Sequence, residues 1–191
     1  LERFKGKKII TLSGINPTKG LEYFIEMSSE LIKKYKNLQF FVAAPNFKSQ
    51  EKYFQKLLDL FNSSNLNDEN FRFLGMIDNV PSFLKSGDIF VYTSISESGP
   101  MAVWEAMAMG KPIVTTDVGS VSQYLKNEEN AFIVPPKNSK ALIQKVEALL
   151  ENQVLQDKMG SAVRSIAKER LDVTISAKKY ANFYHKILSG N

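Results

Sequence analysis

Short apolar runs alternate with longer helix-like stretches along the chain. The apolar runs are continuous and rich in Ile, Val and Phe, which is typical of strands buried on both faces of a parallel sheet. Six strands are predicted, at residues 8–12, 38–44, 71–74, 89–93, 112–115 and 131–134. Helices are predicted at residues 18–36, 48–64, 80–86, 100–109, 118–126, 138–151, 153–170 and 173–188.

This repeated strand–helix pattern predicts an α/β fold, a Rossmann-like, doubly wound parallel sheet of six strands with helices on both faces. Such sheets most often take the strand order 3-2-1-4-5-6, in which ligands bind beyond the carboxyl ends of strands 1 and 4. The rule points to two loops before any motif is considered. They are residues 13–20, after strand 1, and residues 94–100, after strand 4.

The loop after strand 4 has the composition of an anion-binding turn. Ser98 and Gly99 are small enough for a ligand to approach the backbone closely, and Pro100 suits the first turn of a helix. The N–H groups of Met101 and Ala102 would then be free at a helix N-terminus, which favours an anion such as a diphosphate. A strand-to-helix turn without any ligand is the competing interpretation.

Two carboxylates flank this predicted helix start. Glu105 lies in a stretch that is apolar almost all round, where a bare carboxylate is costly and needs a partner. A sugar hydroxyl of a ligand would supply one, and a structural salt bridge is the alternative. Glu97 lies in the loop, where it could accept hydrogen bonds from a hexose or be an ordinary solvated residue.

The ordered motifs resemble those of a known family. Glu97 and Glu105 are separated by seven residues, and residues 106–119 read AMAMGKPIVTTDVG. This resembles the E-x7-E signature and the run that follows it in family-4 retaining glycosyltransferases. The resemblance extends over most of the chain, from GINPTKG at residues 14–20 through FLG at 73–75 to AFIVPP at 131–136. It implies the GT-B fold, in which two Rossmann-like domains hold the nucleotide sugar mainly through the C-terminal one.

The resemblance also implies roles for single residues. Glu97 would contact the transferred sugar, Glu105 the ribose hydroxyls and Lys19 the diphosphate, while Met76 and Ile77 would lie near the base. The expected catalytic residues are thus Glu97 and Lys19. The expected nucleotide-sugar contacts are Glu105, Gly14, Ser98, Gly99, Met101, Ala102, Met76 and Ile77. No metal and no further cofactor are implied, because Lys19 and the helix N-terminus would neutralise the leaving diphosphate.

Some positions depart from the family pattern. Gly14 stands where the family usually has an Arg, so half of the expected cationic clamp is missing. Ser98-Gly99-Pro100 replaces the usual Gly-Phe-Gly and removes one N–H donor at Pro100. Ser120 replaces the second glycine of a Gly-Gly pair, and Gln123 occupies a commonly acidic position. The change at Gly14 matters most, because a lone lysine lacks the forked geometry of an arginine.

Composition limits the remaining chemistry. The 191 residues include no Cys and one His, which argues against disulfides and thiolate or imidazole metal sites. The net charge is +5, and the excess lies in residues 137–191, which hold ten basic and five acidic residues. These basic C-terminal helices could face anionic lipid, an acidic partner domain or water. Basic residues are not interleaved with stacking aromatics, so nucleic acid is not an expected partner.

The chain is expected to form one domain over residues 1–191, the C-terminal donor-binding half of a GT-B enzyme. Its N-terminal acceptor domain is expected to be absent, and the isolated half to be inactive. The expected donor is a UDP- or GDP-sugar, and the expected location is cytoplasmic or peripheral at the inner membrane face. A GT-B nucleotide-sugar epimerase and a non-catalytic nucleotide-sugar-binding module remain open. A dehydrogenase is disfavoured, since no G-x-G-x-x-G follows the first strand.

Overall fold

A computed structural model of the chain describes residues 5–46 and 48–189. Its six strands form one parallel sheet in the order β3-β2-β1-β4-β5-β6, which confirms the predicted fold class and strand order. Each predicted strand is found, with ends that differ by at most one residue. The strands are β1 Lys7–Leu12, β2 Leu38–Ala43, β3 Phe71–Gly75, β4 Ile89–Tyr92, β5 Ile113–Thr116 and β6 Phe132–Val134.

Helices follow every strand and cover both faces of the sheet. They are α1 Leu21–Lys34, α2 Glu51–Asn62, α3 Val80–Ser86, α4 Met101–Ala108, α5 Val121–Tyr124, α6 Ser139–Leu150, α7 Gln153–Arg170 and α8 Val173–Leu188. Short 3-10 turns, Pro17–Lys19 and Lys48–Gln50, precede α1 and α2. None of the helices in the described part of the chain is long and apolar enough to cross a membrane.

The core is divided by the sheet into two apolar layers. Neighbouring residues on β1 show the division, because Ile9 belongs to one layer and Ile10 to the other, and both are fully buried. Side chains of successive strand residues point to opposite faces. Helices α1, α2 and α6 cover the first layer, α3, α4 and α5 the second, and α7 contributes to both. Burial on both sides explains why the strands read as continuous apolar runs.

Several predicted helices are shorter in the structure, among them those predicted over residues 18–36, 48–64 and 118–126. The helix predicted over residues 18–36 is interrupted at Gly20, which has a left-handed backbone with φ of 60°. A side chain there would place a Cβ 2.3 Å from the carbonyl oxygen of Thr93, so the break is set by the approach of a distant loop. The helix predicted over residues 118–126 is a single turn, Val121–Tyr124.

Helix α7 packs against the end of α4 through two glycines. A Cβ on Gly160 would lie 2.3 Å from the carbonyl oxygen of Gly110, so the backbones meet too closely for any side chain. Gly110 itself has a left-handed backbone with φ of 65° just after the end of α4. The contact fixes α7 beneath the helix that begins at the carboxyl edge of the sheet.

Gly160→Ala should therefore destabilise the protein by about 1–3 kcal/mol through overpacking, although alanine in an exposed helix normally stabilises it. The free energy of unfolding, measured by urea denaturation, checks this. Ser161→Ala, at the exposed neighbouring position of the same helix, is the control and should not lower stability. A Gly160→Ala variant as stable as the wild type would contradict the packing argument.

Candidate functional site

The loops after β1 and β4 are joined at the switch point of the sheet. The carbonyl oxygen of Thr18 accepts hydrogen bonds from the N–H of Ile95 at 2.7 Å, the N–H of Ser96 at 3.4 Å and the hydroxyl of Ser94 at 2.9 Å. This backbone pairing brings the side chains of the two loops together, as the strand order predicts.

The ammonium group of Lys19 forms an ion pair with Oε1 of Glu97 across the two loops. The hydroxyl of Tyr92 donates to the same oxygen at 2.5 Å, and the hydroxyl of Ser94 lies 3.5 Å from it. The Lys19 and Glu97 side chains retain 27% and 13% of their exposure, so the pair is open to the cleft. The two expected catalytic residues are thus in direct contact.

Tyr92 is a site residue that the sequence analysis missed. It ends β4 and is 3% exposed. Burial, and then its hydrogen bond to Glu97, raise the pKa of the Tyr92 hydroxyl, which therefore stays protonated and acts as a donor. The signal available in the sequence was a buried strand ending in a tyrosine at the switch point, since a buried tyrosine hydroxyl usually finds a partner.

A cleft of about 290 Å³ opens above this network. It is lined by Leu12, Ser13, Gly14, Lys19, Tyr92, Glu97, Gly99, Met101, Ala102 and Glu105. Seven of the ten predicted site residues are among them. Ser98 is exposed beside the cleft, where its carbonyl oxygen accepts a hydrogen bond from the N–H of Ser120 at 3.2 Å.

Met76 and Ile77 follow β3, at the same edge of the sheet but outside the lining of this cleft. The sheet register aligns Leu12 with Ala43 and Ala43 with Gly75, so these residues lie two strands away from β1. Met76 is 70% exposed, whereas Ile77 packs against the second apolar layer. Their contact with a nucleotide base stays a prediction.

Glu105 is half-buried in α4, and its carboxylate has no hydrogen-bond or ion-pair partner within residues 5–46 and 48–189. The salt bridge that was the alternative explanation for this carboxylate is therefore not formed with any residue that the structure describes. Burial raises the pKa of Glu105 above its ordinary value, because its charged form is poorly solvated. A ligand hydroxyl in the cleft would give this carboxylate the donor that the described protein lacks.

The start of α4 supplies fewer free donors than expected. Pro100 precedes the helix, and the N–H of Met101 donates to the carbonyl oxygen of Gly99 at 2.9 Å. The prediction that the Met101 N–H is free was therefore wrong, since the tight turn uses it. The N–H of Ala102 has no acceptor in the described part of the chain and remains the donor of the first helical turn that lines the cleft.

Gly14 leaves an open space on the β1 side of the cleft. A Cβ built on this glycine meets no heavy atom within 4 Å, so nothing in its surroundings forbids a side chain. Lys19 is the one cationic side chain among the lining residues of the described cleft. No group of three Cys, His, Asp or Glu side chains in the described ranges could hold a metal ion.

The family model for glycosyl transferases, group 1, matches residues 2–166. The chain belongs to this family. The match confirms the family that the motifs around Glu97 and Glu105 indicated.

Several relatives of the chain are named as sugar transferases. The alpha-D-kanosaminyltransferase of Streptomyces kanamyceticus is 25% identical over 181 residues, which are 94% of this chain and 45% of that protein. The phosphatidyl-myo-inositol mannosyltransferase of Mycobacterium leprae is 31% identical over 122 residues, 62% of this chain and 32% of that protein. The chain thus spans less than half the length of these relatives.

Solved structures share the fold. The C-terminal domain of the group 1 protein LpcC from Francisella tularensis superposes with a TM-score of 0.82 at 24% identity, covering 90% of each chain. HepE from Anabaena, solved in complex with UDP and in complex with UDP-glucose, has a TM-score of 0.88 in both cases at 21% identity. This chain covers 49% of HepE and aligns over 95% of its own length.

Because the Glu105 pKa is raised in the fold, its contribution to stability is present at acidic pH and is lost as the pH rises through that pKa. Glu105→Gln should therefore be more stable than the wild type at pH 7, and the advantage should shrink below pH ~4.3, the ordinary glutamate pKa. Urea unfolding at both pH values measures this. Glu69→Gln, at an exposed loop carboxylate, should show no such difference, and equal behaviour of both variants would refute the assignment.

Proposed function

We propose that this chain binds the nucleotide-sugar donor of a retaining hexosyltransferase. The observation that carries the proposal is the meeting of Lys19, Glu97 and Glu105 in one cleft at the switch point. An ammonium suits a diphosphate, and carboxylates accept hydrogen bonds from sugar and ribose hydroxyls. Membership of the glycosyl transferases, group 1, supports the same reaction class.

In the proposed reaction the bond between the anomeric carbon and the diphosphate oxygen breaks through an oxocarbenium-like transition state. The acceptor oxygen bonds to the anomeric carbon on the same face, and its proton passes to the departing diphosphate oxygen. Lys19 and the N–H of Ala102 would stabilise the charge that develops on the diphosphate. Glu97 would orient the hexose without acting as a nucleophile, and no metal or further cofactor would be needed.

A uridine or guanosine diphosphate sugar is the proposed donor. HepE, which shares the fold, was solved with UDP and with UDP-glucose. Gly14 affects how strongly the donor would bind, because it places no cationic side chain in the open space beside it and Lys19 is the one cation that lines the described cleft. We therefore expect binding weaker than an arginine–lysine clamp would give.

We further propose that the acceptor-binding N-terminal half of the full-length protein covers α8. No residue of this helix is buried, and large apolar side chains stand exposed along it at Val173, Tyr180, Phe183, Tyr184, Ile187 and Leu188. Residues 173, 180, 184 and 187 share one face at helical spacing. Because this chain spans less than half the length of its relatives, a second half of the protein is the proposed occupant of that face.

Calorimetric titration of the chain with UDP, GDP, ADP and their sugar conjugates tests the donor proposal. We expect one nucleotide series to bind, and Lys19→Met to weaken that binding by about ten- to a hundredfold, the range for a hydrogen bond to a charged group. Lys33→Met, on the exposed end of α1, is the matched control. Failure of a folded wild-type chain to bind any of these ligands at millimolar concentration would overturn the proposal.

Gly14→Arg, titrated with the same nucleotides, should have the opposite effect on affinity to Lys19→Met. The open space at this position should admit the side chain, and a guanidinium beside the diphosphate should tighten binding about tenfold. A loss of affinity in a folded Gly14→Arg variant would show that the ligand backbone occupies this space instead.

Association of this chain with a separately expressed N-terminal half tests the role of α8. Tyr184→Ser with Ile187→Ser should weaken association at least tenfold, because burying each apolar side chain contributes about 1.5–3 kcal/mol. Val154→Ser, at an exposed apolar residue on α7, should leave it unchanged. Binding of the chain to phosphatidylglycerol vesicles, lost in the double variant without any effect on association, would instead assign α8 to a membrane surface.

A further inference from the structure

The two carboxylate oxygens of Glu97 differ in the hydrogen bonds that they accept. Oε1 accepts from Lys19 and Tyr92 and lies 3.5 Å from the hydroxyl of Ser94, whereas Oε2 accepts from none of the residues that the structure describes. One oxygen is therefore anchored by the protein, and the other is left for a ligand.

A diphosphate that binds Lys19 would compete with Glu97 for the charge of its ammonium group, because two anions would then share one cation. The Glu97 side chain is only 13% exposed, so losing its cation without another donor would leave a largely buried carboxylate poorly solvated. Withdrawal of Lys19 toward a ligand thus requires that Glu97 keep a second, permanent donor.

Tyr92 meets this requirement better than Ser94. Its hydroxyl lies 2.5 Å from Oε1, and the buried ring is fixed at the end of β4. The Ser94 hydroxyl has one proton, which it donates to the carbonyl oxygen of Thr18 at 2.9 Å. Because the Tyr92 pKa is raised by burial, its proton remains available at all physiological pH values.

We propose that Tyr92 is a positioning residue that retains Glu97 in place when Lys19 is transferred from Glu97 to the diphosphate of the donor. This inference rests on the proposed donor-binding function. Tyr92 acts through Glu97 and needs no contact with the reacting atoms. In this scheme the ion pair with Glu97 holds Lys19 beside the cleft, where a diphosphate would compete for it.

The test is a cycle of Tyr92→Phe and Glu97→Gln, titrated with whichever of UDP, GDP and ADP binds the wild-type chain most tightly. Tyr92→Phe keeps the ring and removes the hydroxyl. It should weaken binding by about tenfold in the wild-type background, the effect of one hydrogen bond to a charged group. In the Glu97→Gln background, where no carboxylate depends on the hydroxyl, the same substitution should change binding less than about twofold.

Tyr53→Phe is the matched control, because Tyr53 is another buried tyrosine that donates to a glutamate, Glu22, away from the cleft. It should change stability without changing nucleotide affinity. Equal losses from Tyr92→Phe in both backgrounds, or no loss in either, would overturn the positioning role while the donor-binding function stands. Absence of nucleotide binding by the folded wild-type chain would overturn the proposed function, and this inference with it.

Discussion

The site depends on the hydrogen bonds that the carbonyl oxygen of Thr18 accepts. This oxygen accepts hydrogen bonds from Ile95, Ser96 and Ser94 and so joins the loops that leave β1 and β4. Two strands adjacent in the sheet but separated by some eighty residues would otherwise place their loops side by side without fixing them. Gly20 makes the approach feasible, because any side chain there would collide with the backbone of Thr93.

The same contact shows which parts of the structure the sequence could predict. Continuous apolar runs define the strands, because burial on both faces favours apolar residues at successive positions. The switch-point rule then brings the loops of Lys19 and Glu97 to one edge. The break at Gly20 was not predictable from periodicity, since it results from the close approach of Thr93, a residue far away in the chain. Tyr92 was not predicted as a site residue because a strand pattern does not say which group a hydroxyl at the end of the strand will contact.

The donors of α4 illustrate the limit of reasoning from a motif. A proline before the helix suggests free N–H groups in the first turn. The N–H of Met101 nevertheless donates to the carbonyl oxygen of Gly99 within a tight turn. Only local backbone geometry decides this, and the composition of the loop does not encode it. For Glu105, by contrast, the sequence pattern was informative, since an apolar surround predicted a carboxylate in need of a partner. The described part of the protein supplies no partner, and burial without one raises the pKa of the Glu105 carboxyl.

The charges that line the cleft constrain what can bind there. Two carboxylates, Glu97 and Glu105, face one ammonium, Lys19, so a bare diphosphate would meet a site without excess positive charge. The N–H of Ala102 and the helix dipole of α4 offset this only in part. A ligand with hydroxyl groups would change this charge balance, because each carboxylate would gain a donor and Lys19 would be left to pair with the phosphates. A diphosphate that carries hydroxyl-bearing groups at both ends therefore suits this cleft better than an inorganic one, and a nucleotide sugar has that form.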